Sequence, residues 1–203
     1  MKNQFFKLIA LMLLLAILAT ALASCAKKDA YRVEMDVEGF GTIEMRLIRQ
    51  SAPATVDNFI KLAKENFYDG LTFIRAQEGF VIQGGCPNKD GTGSSAATIP
   101  GEFSSNGFAK NRISHKAGVI SMARSNDPDS ASCQFFITIG DATESLDGKY
   151  AGFGYIEESS MPIVYAIAEA MFPYADFSMG FVKDVSKQPV ITDVRVVGSY
   201  NIR

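Results

Sequence analysis

Tryptophan is absent from this 203-residue chain, and histidine occurs once, at His115. A lone histidine excludes a metal site built on several imidazoles and leaves a single candidate base for any Ser-His nucleophile. No run of lysines or arginines breaks the sequence, and a formal charge of −2 lacks the electrostatic footprint of a nucleic-acid binder. The Gly-rich residues 86–95 are followed neither by Gly-Lys-Ser/Thr nor by the start of a helix, so a phosphate cradle is excluded as well. No internal repeat is present. The one long apolar run, residues 8–21, is short for a membrane-spanning helix. What remains, 47% hydrophobic and 21% charged, suits one globular domain with a sizeable core.

The N-terminus reads as a targeting segment. Lys2 and Lys7 precede the apolar run, whose length is that of a signal-peptide core. It ends in Leu22-Ala23-Ser24-Cys25. An ordinary secretory peptidase would accept the small residues here, but the tetrapeptide resembles the bacterial lipobox, in which the cysteine is acylated and becomes the new N-terminus. On that reading residues 1–24 are a lipoprotein signal peptide, Cys25 carries the lipid, and residues 25–30 form the tether. Two acyl chains, at about 0.8 kcal/mol per buried methylene, are enough for stable retention. Residues 31–203 then form a domain outside the cytoplasm, attached to the bacterial cell membrane. Loss of the first 24 residues leaves 18 basic and 22 acidic residues, a net charge of −4.

Residues 31–38 alternate, with Tyr31, Val33, Met35 and Val37 on one face and charged residues on the other, as in a half-buried antiparallel strand. Gly39-Phe40-Gly41 turns the chain into a second strand through Ile43, Met45 and Leu47. Ser51 as cap and Pro53 in the first turn predict a helix whose apolar stripe is Val56, Phe59, Ile60 and Ala63. Residues 71–74 and 80–82 have strand composition around a Gln-Glu-Gly turn. Further strands are predicted over 119–123, 134–139 and 190–197. A second helix is predicted after Ser159 or Ser160, with Pro162 in its first turn and Ile163, Ile167 and Ala170 along one side. Residues 172–189 read as a long irregular segment with an apolar load unusual for a loop. Short alternating strands with only two helices argue for a closed β-barrel.

Four stretches carry the chemistry. They are Phe73-Ile74-Arg75 through Phe80-Val81-Ile82-Gln83-Gly84-Gly85, then Ile120-Ser121-Met122-Ala123-Arg124, Ser132-Cys133-Gln134-Phe135-Phe136, and Leu146-Asp147-Gly148-Lys149-Tyr150 with Phe153-Gly154 beyond it. In order and spacing they resemble the cyclophilins, peptidyl-prolyl cis/trans isomerases, from about residue 31 to residue 197. The resemblance implies a closed eight-stranded antiparallel barrel capped by two α-helices, with the active site in a groove on the outer wall. It makes His115 structural and implies a monomer acting on proline-containing polypeptides. No bond to carbon breaks in the reaction, so neither metal nor cofactor is expected.

Residue by residue, the resemblance puts Phe80, Val81, Phe136 and Leu146 around the proline ring and Arg75 against the prolyl nitrogen. Gln83 would bond the substrate backbone and orient Arg75. Ala123 and Arg124 would offer main-chain groups, Gln134 would support the floor, and Tyr150 would complete the binding surface. Without the family pattern, ordinary core packing would be the better account of each apolar residue. Arg75, Phe80, Gln83 and Phe136 are the expected catalytic set.

Three positions depart from the family's pattern. Ser145 stands where many members have Trp, Tyr150 replaces a frequent His, and Arg124 replaces a frequent Asn. A more open wall at Ser145 implies weaker cyclosporin binding. Because Gln83 and Gln134 line one floor in the family, Cys86 and Cys133 are neighbours by implication, and both a disulfide and two separate buried thiols are open. Two other classes compete with the enzyme: a cyclophilin-fold holdase or scaffold with little turnover, and a solute-binding lipoprotein. The latter has the anchor but no second lobe in about 180 residues.

Overall fold

The computed structural model describes residues 28–202; the expected signal peptide and Cys25 lie outside them. β1 (Ala30–Val37) and β2 (Gly41–Ile48) pair in full register. Val33, Met35, Val37, Ile43, Met45 and Leu47 point into the core, while Tyr31, expected with them, is only half-buried. The remaining strands are β3 (Phe73–Gln77), β4 (Val81–Gly84), β5 (Val119–Met122), β6 (Phe135–Thr138), β7 (Gly152–Ile156) and β8 (Ile191–Tyr200). They form one antiparallel sheet in the order β3-β4-β6-β5-β7-β2-β1-β8.

Eight strands are present as expected, but the sheet does not close. It is an open half-barrel with β3 and β8 at its edges. The physical reason lies in β8, whose residues are committed to β1 along their length. Only the approach to β8 and its first residue reach the other edge, through the single bridge Thr72↔Val190 and the bonds Phe73 N–H to Pro189 O, Ile191 N–H to Leu71 O and Gly70 N–H to Ile191 O. The β3 edge is instead covered by residues 175–182, where Ala76 N–H donates to Gly180 O and Val182 N–H to Ile74 O, both at 2.8 Å. An edge covered in this way offers no template for pairing with another chain.

α1 (Pro53–Lys64) buries Val56, Phe59, Ile60 and Ala63 as its spacing predicts. Its cap differs from expectation. Ser51 lies outside the helix and Ala52 is the N-cap residue, with no side-chain bond. The carboxylate of Glu102, buried and far along the chain, takes over, accepting from Ala54 N–H at 2.9 Å and from Thr55 N–H and O–H at 2.8 Å each. α2 (Thr143–Leu146) is a single turn. α3 (Met161–Met171) begins with Pro in its first turn as expected, but its buried stripe is Val164, Ile167, Ala168 and Met171. Ala170 is exposed and Ile163 only half-buried. The spacing i, i+3, i+4, i+7 from Val164 gives the wider apolar face.

Alternation along β4 and β6 produces two hydrophobic groups on opposite faces. Ile82, Phe135 and Ile137 join the main core with Phe59, Phe73 and Phe153. Val81 and Phe136 point the other way, with Ala142 and Leu146, against Phe80, Ala123 and Tyr150. The second group is what an ordinary sheet face would leave polar.

Cys86 and Cys133 are free and fully buried. Cys86 Sγ accepts from Gly91 N–H and Gly93 N–H at 3.3 Å each, and burial pushes the Cys133 thiol up. Thiol titration of unreduced Cys25→Ser protein should therefore return two thiols after unfolding and essentially none before it. A count of zero after unfolding would establish a disulfide instead.

Candidate active site

Strand register puts the polar residues of the opening motif in one row. Arg75 on β3 pairs with Gln83 on β4, Gln83 with Phe136 on β6, and Phe136 with Ser121 on β5. Directly opposed residues share a face, so Arg75, Gln83 and Phe136 stand side by side on the outer wall. The hairpin that brings β3 and β4 together turns at Gly79, whose φ of 67° suits glycine, and closes with Phe80 N–H to Gln77 O at 3.0 Å.

A pocket of about 240 Å³ opens over this row. Its lining includes Arg75, Phe80, Val81, Gln83, Ala123, Arg124, Phe136, Leu146 and Tyr150, so nine of the ten residues expected from the sequence come together. Gln134, the tenth, lines an adjoining pocket with Gly91, Thr92, Gly93, Ser94 and Ser132. Phe136 meets Tyr150 edge-on at 5.7 Å, forming a rigid apolar corner. Ser145 is exposed on α2 and contributes nothing to the lining, so the wall is open there.

Hydrogen bonds run across the floor in one direction. Arg75 donates to Gln83 Oε1 at 3.4 Å, and Gln83 Nε2 donates to Gln134 Oε1 at 2.9 Å. Gln134 Nε2 then donates to Gly91 O at 3.0 Å and Gly93 O at 2.7 Å. The relay fixes both amides and aims a carbonyl oxygen at the guanidinium. Arg75 also donates from Nε to Met179 O and from its second terminal nitrogen to Gln77 Oε1, each at 2.6 Å. Those contacts use three of five N–H groups and leave one on each terminal nitrogen for a ligand. Burial pulls the guanidinium pKa down, against the pull of Tyr150 and Asp176. It remains a cation, but a partly desolvated one.

Arg124 is part of the wall. Its guanidinium lies 4.6 Å from the Tyr150 ring centre and 5.2 Å from that of Phe103, and it donates to Lys149 O and Ser125 O. The Ala123 N–H is taken by Gln134 O at 2.9 Å, so it is committed within the sheet.

Behind the pocket, three residues form what looks like a nucleophilic triad. His115 Nδ1 lies 2.8 Å from Asp147 Oδ1, and Nε2 lies 2.9 Å from Ser121 Oγ. Burial works against the Asp147 carboxylate, but donors from His115 N–H and Ser114 O–H hold its pKa below the usual range. Burial lowers the His115 pKa more than Asp147 raises it, so the ring is neutral near pH 7. A carboxylate only accepts, so Nδ1–H donates to Asp147 and Nε2 accepts from Ser121. Ser121 and His115 are fully buried, and no substrate reaches them. The network supports the pocket instead: the His115 ring stacks on Phe136 at 6.1 Å, and Asp147 directly follows Leu146.

The residue that motif reasoning missed is Met179, which lines the pocket and holds Arg75 Nε with its carbonyl. Its signal was present in the apolar load of residues 172–189. The loop is organised by Asp176, whose carboxylate accepts from Met179 N–H at 2.8 Å, Ser178 N–H at 3.0 Å, Ser178 O–H at 2.8 Å and Phe181 N–H at 3.2 Å. These donors, that of Met179 foremost, hold its pKa at about 2.

Residues 32–196 match the family model described as cyclophilin type peptidyl-prolyl cis-trans isomerase/CLD. The chain is 37% identical over 162 residues to peptidyl-prolyl cis-trans isomerase B of Bacillus subtilis, covering 80% of this chain and 95% of that protein. It is 44% identical over 116 residues to a peptidyl-prolyl cis-trans isomerase of Helicobacter pylori, covering 57% and 67% of the two chains. A crystal structure of a Cryptosporidium parvum cyclophilin type isomerase, solved in the presence of the dipeptide Ala-Pro, superposes with a TM-score of 0.68 at 22% identity, over 83% of this chain and 99% of that one.

Proposed function

The chain belongs to the cyclophilin type peptidyl-prolyl cis-trans isomerase family and isomerises X–Pro bonds, and from that premise we propose that Arg75 and its apolar pocket carry the reaction on polypeptides outside the cytoplasm. The barrier is the amide resonance, about 18–20 kcal/mol, which makes uncatalysed exchange take about 10–100 s. A catalyst has to grip the proline ring, leave the preceding carbonyl room to swing, and favour the twisted amide.

In this reading the ring sits against Phe80, Val81, Phe136 and Leu146. As resonance is lost the prolyl nitrogen becomes pyramidal and gains a lone pair. The uncommitted N–H groups of Arg75 then have an acceptor that the planar substrate does not offer, and a bond made only at that stage lowers the barrier. Partial burial strengthens the bond. The relay through Gln83 and Gln134 holds the guanidinium in place, so little is lost to reorganisation. The observation that carries this reading is the single row Arg75, Gln83, Phe136 on three adjacent strands, beside the apolar pocket. The Ala-Pro dipeptide of the related structure supports proline peptides as ligands.

A proline-limited refolding assay tests it: catalytic amounts of the protein should accelerate the slow phase in proportion to concentration. Binding of proline peptides without acceleration would favour the holdase reading. For the anchor, the reading rests on the Leu22-Ala23-Ser24-Cys25 tetrapeptide; among the described residues no helix is long and apolar enough to cross a membrane. Cys25→Ser should abolish labelling by fatty acid and release the protein from the membrane fraction. Unchanged labelling and retention would remove the anchor from this account.

A further inference from the structure

Phe177 is fully exposed, at 108% relative accessibility, and Met179 is 53% exposed, yet the loop holding them is built rather than slack. Asp176 binds it from within through four hydrogen bonds, and two backbone bonds fasten it to β3. Phe181 anchors it beneath, 5.8 Å from the Arg75 guanidinium. A fold that orders a loop this thoroughly while leaving a phenylalanine in water gives up the burial of a large apolar side chain.

The surface is continuous with the proline pocket. Met179 lines that pocket, and Phe177 and Ser178 line a second cleft on the other side of the loop, against Gln77, Glu78 and Phe172. Gln77, which borders this cleft, is also one of the three residues that accept from Arg75. A chain leaving the proline pocket across Met179 therefore runs onto Phe177 within a residue or two.

Resting on the isomerase reading above, we infer that Phe177 and Met179 form an apolar specificity subsite. It takes a bulky hydrophobic side chain of the substrate close to the isomerised proline. Its occupant is an extended, unfolded polypeptide with apolar residues near proline. Sequences flanked by small or polar residues are turned over but not preferred.

The test uses peptides with one proline in an alanine background, with Leu or Phe placed in turn at each of the neighbouring positions. At one flanking position wild-type protein should gain about fivefold to tenfold in kcat/KM over the alanine peptide. Phe177→Ser should cut that gain to less than about twofold while leaving the alanine-peptide rate and the melting temperature unchanged. Equal preference in both proteins, or none in wild type, overturns the subsite. So does unchanged peptide preference combined with loss, in Phe177→Ser, of binding to phosphatidylglycerol/phosphatidylethanolamine vesicles or of self-association. The alanine-peptide rate separates the two levels: if it is absent in wild type the isomerase mechanism fails, and if it is present without flank preference only the subsite fails.

Discussion

Arg75→Ala should lower kcat/KM by about 10²–10³, the usual loss when one preorganised donor is removed from a developing charge. Peptide affinity should fall far less, because the apolar surfaces of Phe80, Val81, Phe136 and Leu146 stay in place. The loop at Met179 loses one bond to Arg75 but keeps Ala76 N–H to Gly180 O and Val182 N–H to Ile74 O, so the fold and melting temperature should change little. Arg75→Lys should recover little activity. An ammonium is a point charge that cannot hold Met179 O, Gln77 and Gln83 while offering further N–H groups to substrate. The measurements are isomerisation kinetics, peptide binding and thermal melts on the same preparations. Full activity in Arg75→Ala would end the mechanism. An equal loss in affinity and in rate would make Arg75 a binding residue.

The same mechanism makes a statement about pH. Arginine does not titrate in the accessible range, and burial lowers the His115 pKa so that the ring stays neutral. The rate should be flat from about pH 9 down to the ordinary histidine pKa of about 6.5. A fall in activity through the ordinary histidine range would point to a base that this account lacks.

How much of this was legible in the sequence depended on whether local pattern and tertiary role agreed. β1 and α1 were legible because alternation in one and the Val56, Phe59, Ile60, Ala63 stripe in the other are also their core faces. β7 was not. No strand is predicted over 152–156, yet Gly152 and Gly154 are in the sheet because there is no room for more: a Cβ on Gly154 would meet Arg46 O at 2.4 Å, and one on Gly152 would meet Ile113 Cγ2 at 2.8 Å. Glycine in a strand marks close approach of another chain segment, which a single sequence does not display. That Arg75, Gln83 and Phe136 share one row was legible through the family motifs, whereas the place of Met179 was not, since it follows from Asp176 folding the loop back onto β3. Barrel closure was misjudged for a similar reason. Strand count is written in short patterns, but the end of a ladder is decided by where residues 189–191 meet residues 71–73, more than 100 positions away.

Glu102→Ala should produce the complementary result, a large loss of stability with little change in rate per folded molecule. The start of α1 is fully accounted for only with Glu102 in place. Pro53 has no N–H to satisfy, Ala54 and Thr55 donate to the two Glu102 oxygens, and Val56 N–H turns back to Ala52 O at 2.9 Å. Removing the carboxylate leaves two helix N–H groups and the buried Thr55 hydroxyl without an acceptor, and takes a negative charge from the positive end of the helix. Charge-assisted bonds of this kind contribute about 1.5–3 kcal/mol each, offset in part by the cost of burying the carboxylate. The expected net loss is about 2–4 kcal/mol. For a domain of this size that is a drop in melting temperature of roughly 5–15 °C. Glu102→Gln should lose less, since one oxygen still accepts while the amide N–H₂ faces a donor. Ser51→Ala is the informative control: as the cap expected from sequence it would cost about 1 kcal/mol, and as a residue outside the helix it should cost almost nothing. Thermal melts of the three variants decide between the two assignments, and a Glu102→Ala protein that melts with wild type would show that water satisfies this helix end as well as the carboxylate does.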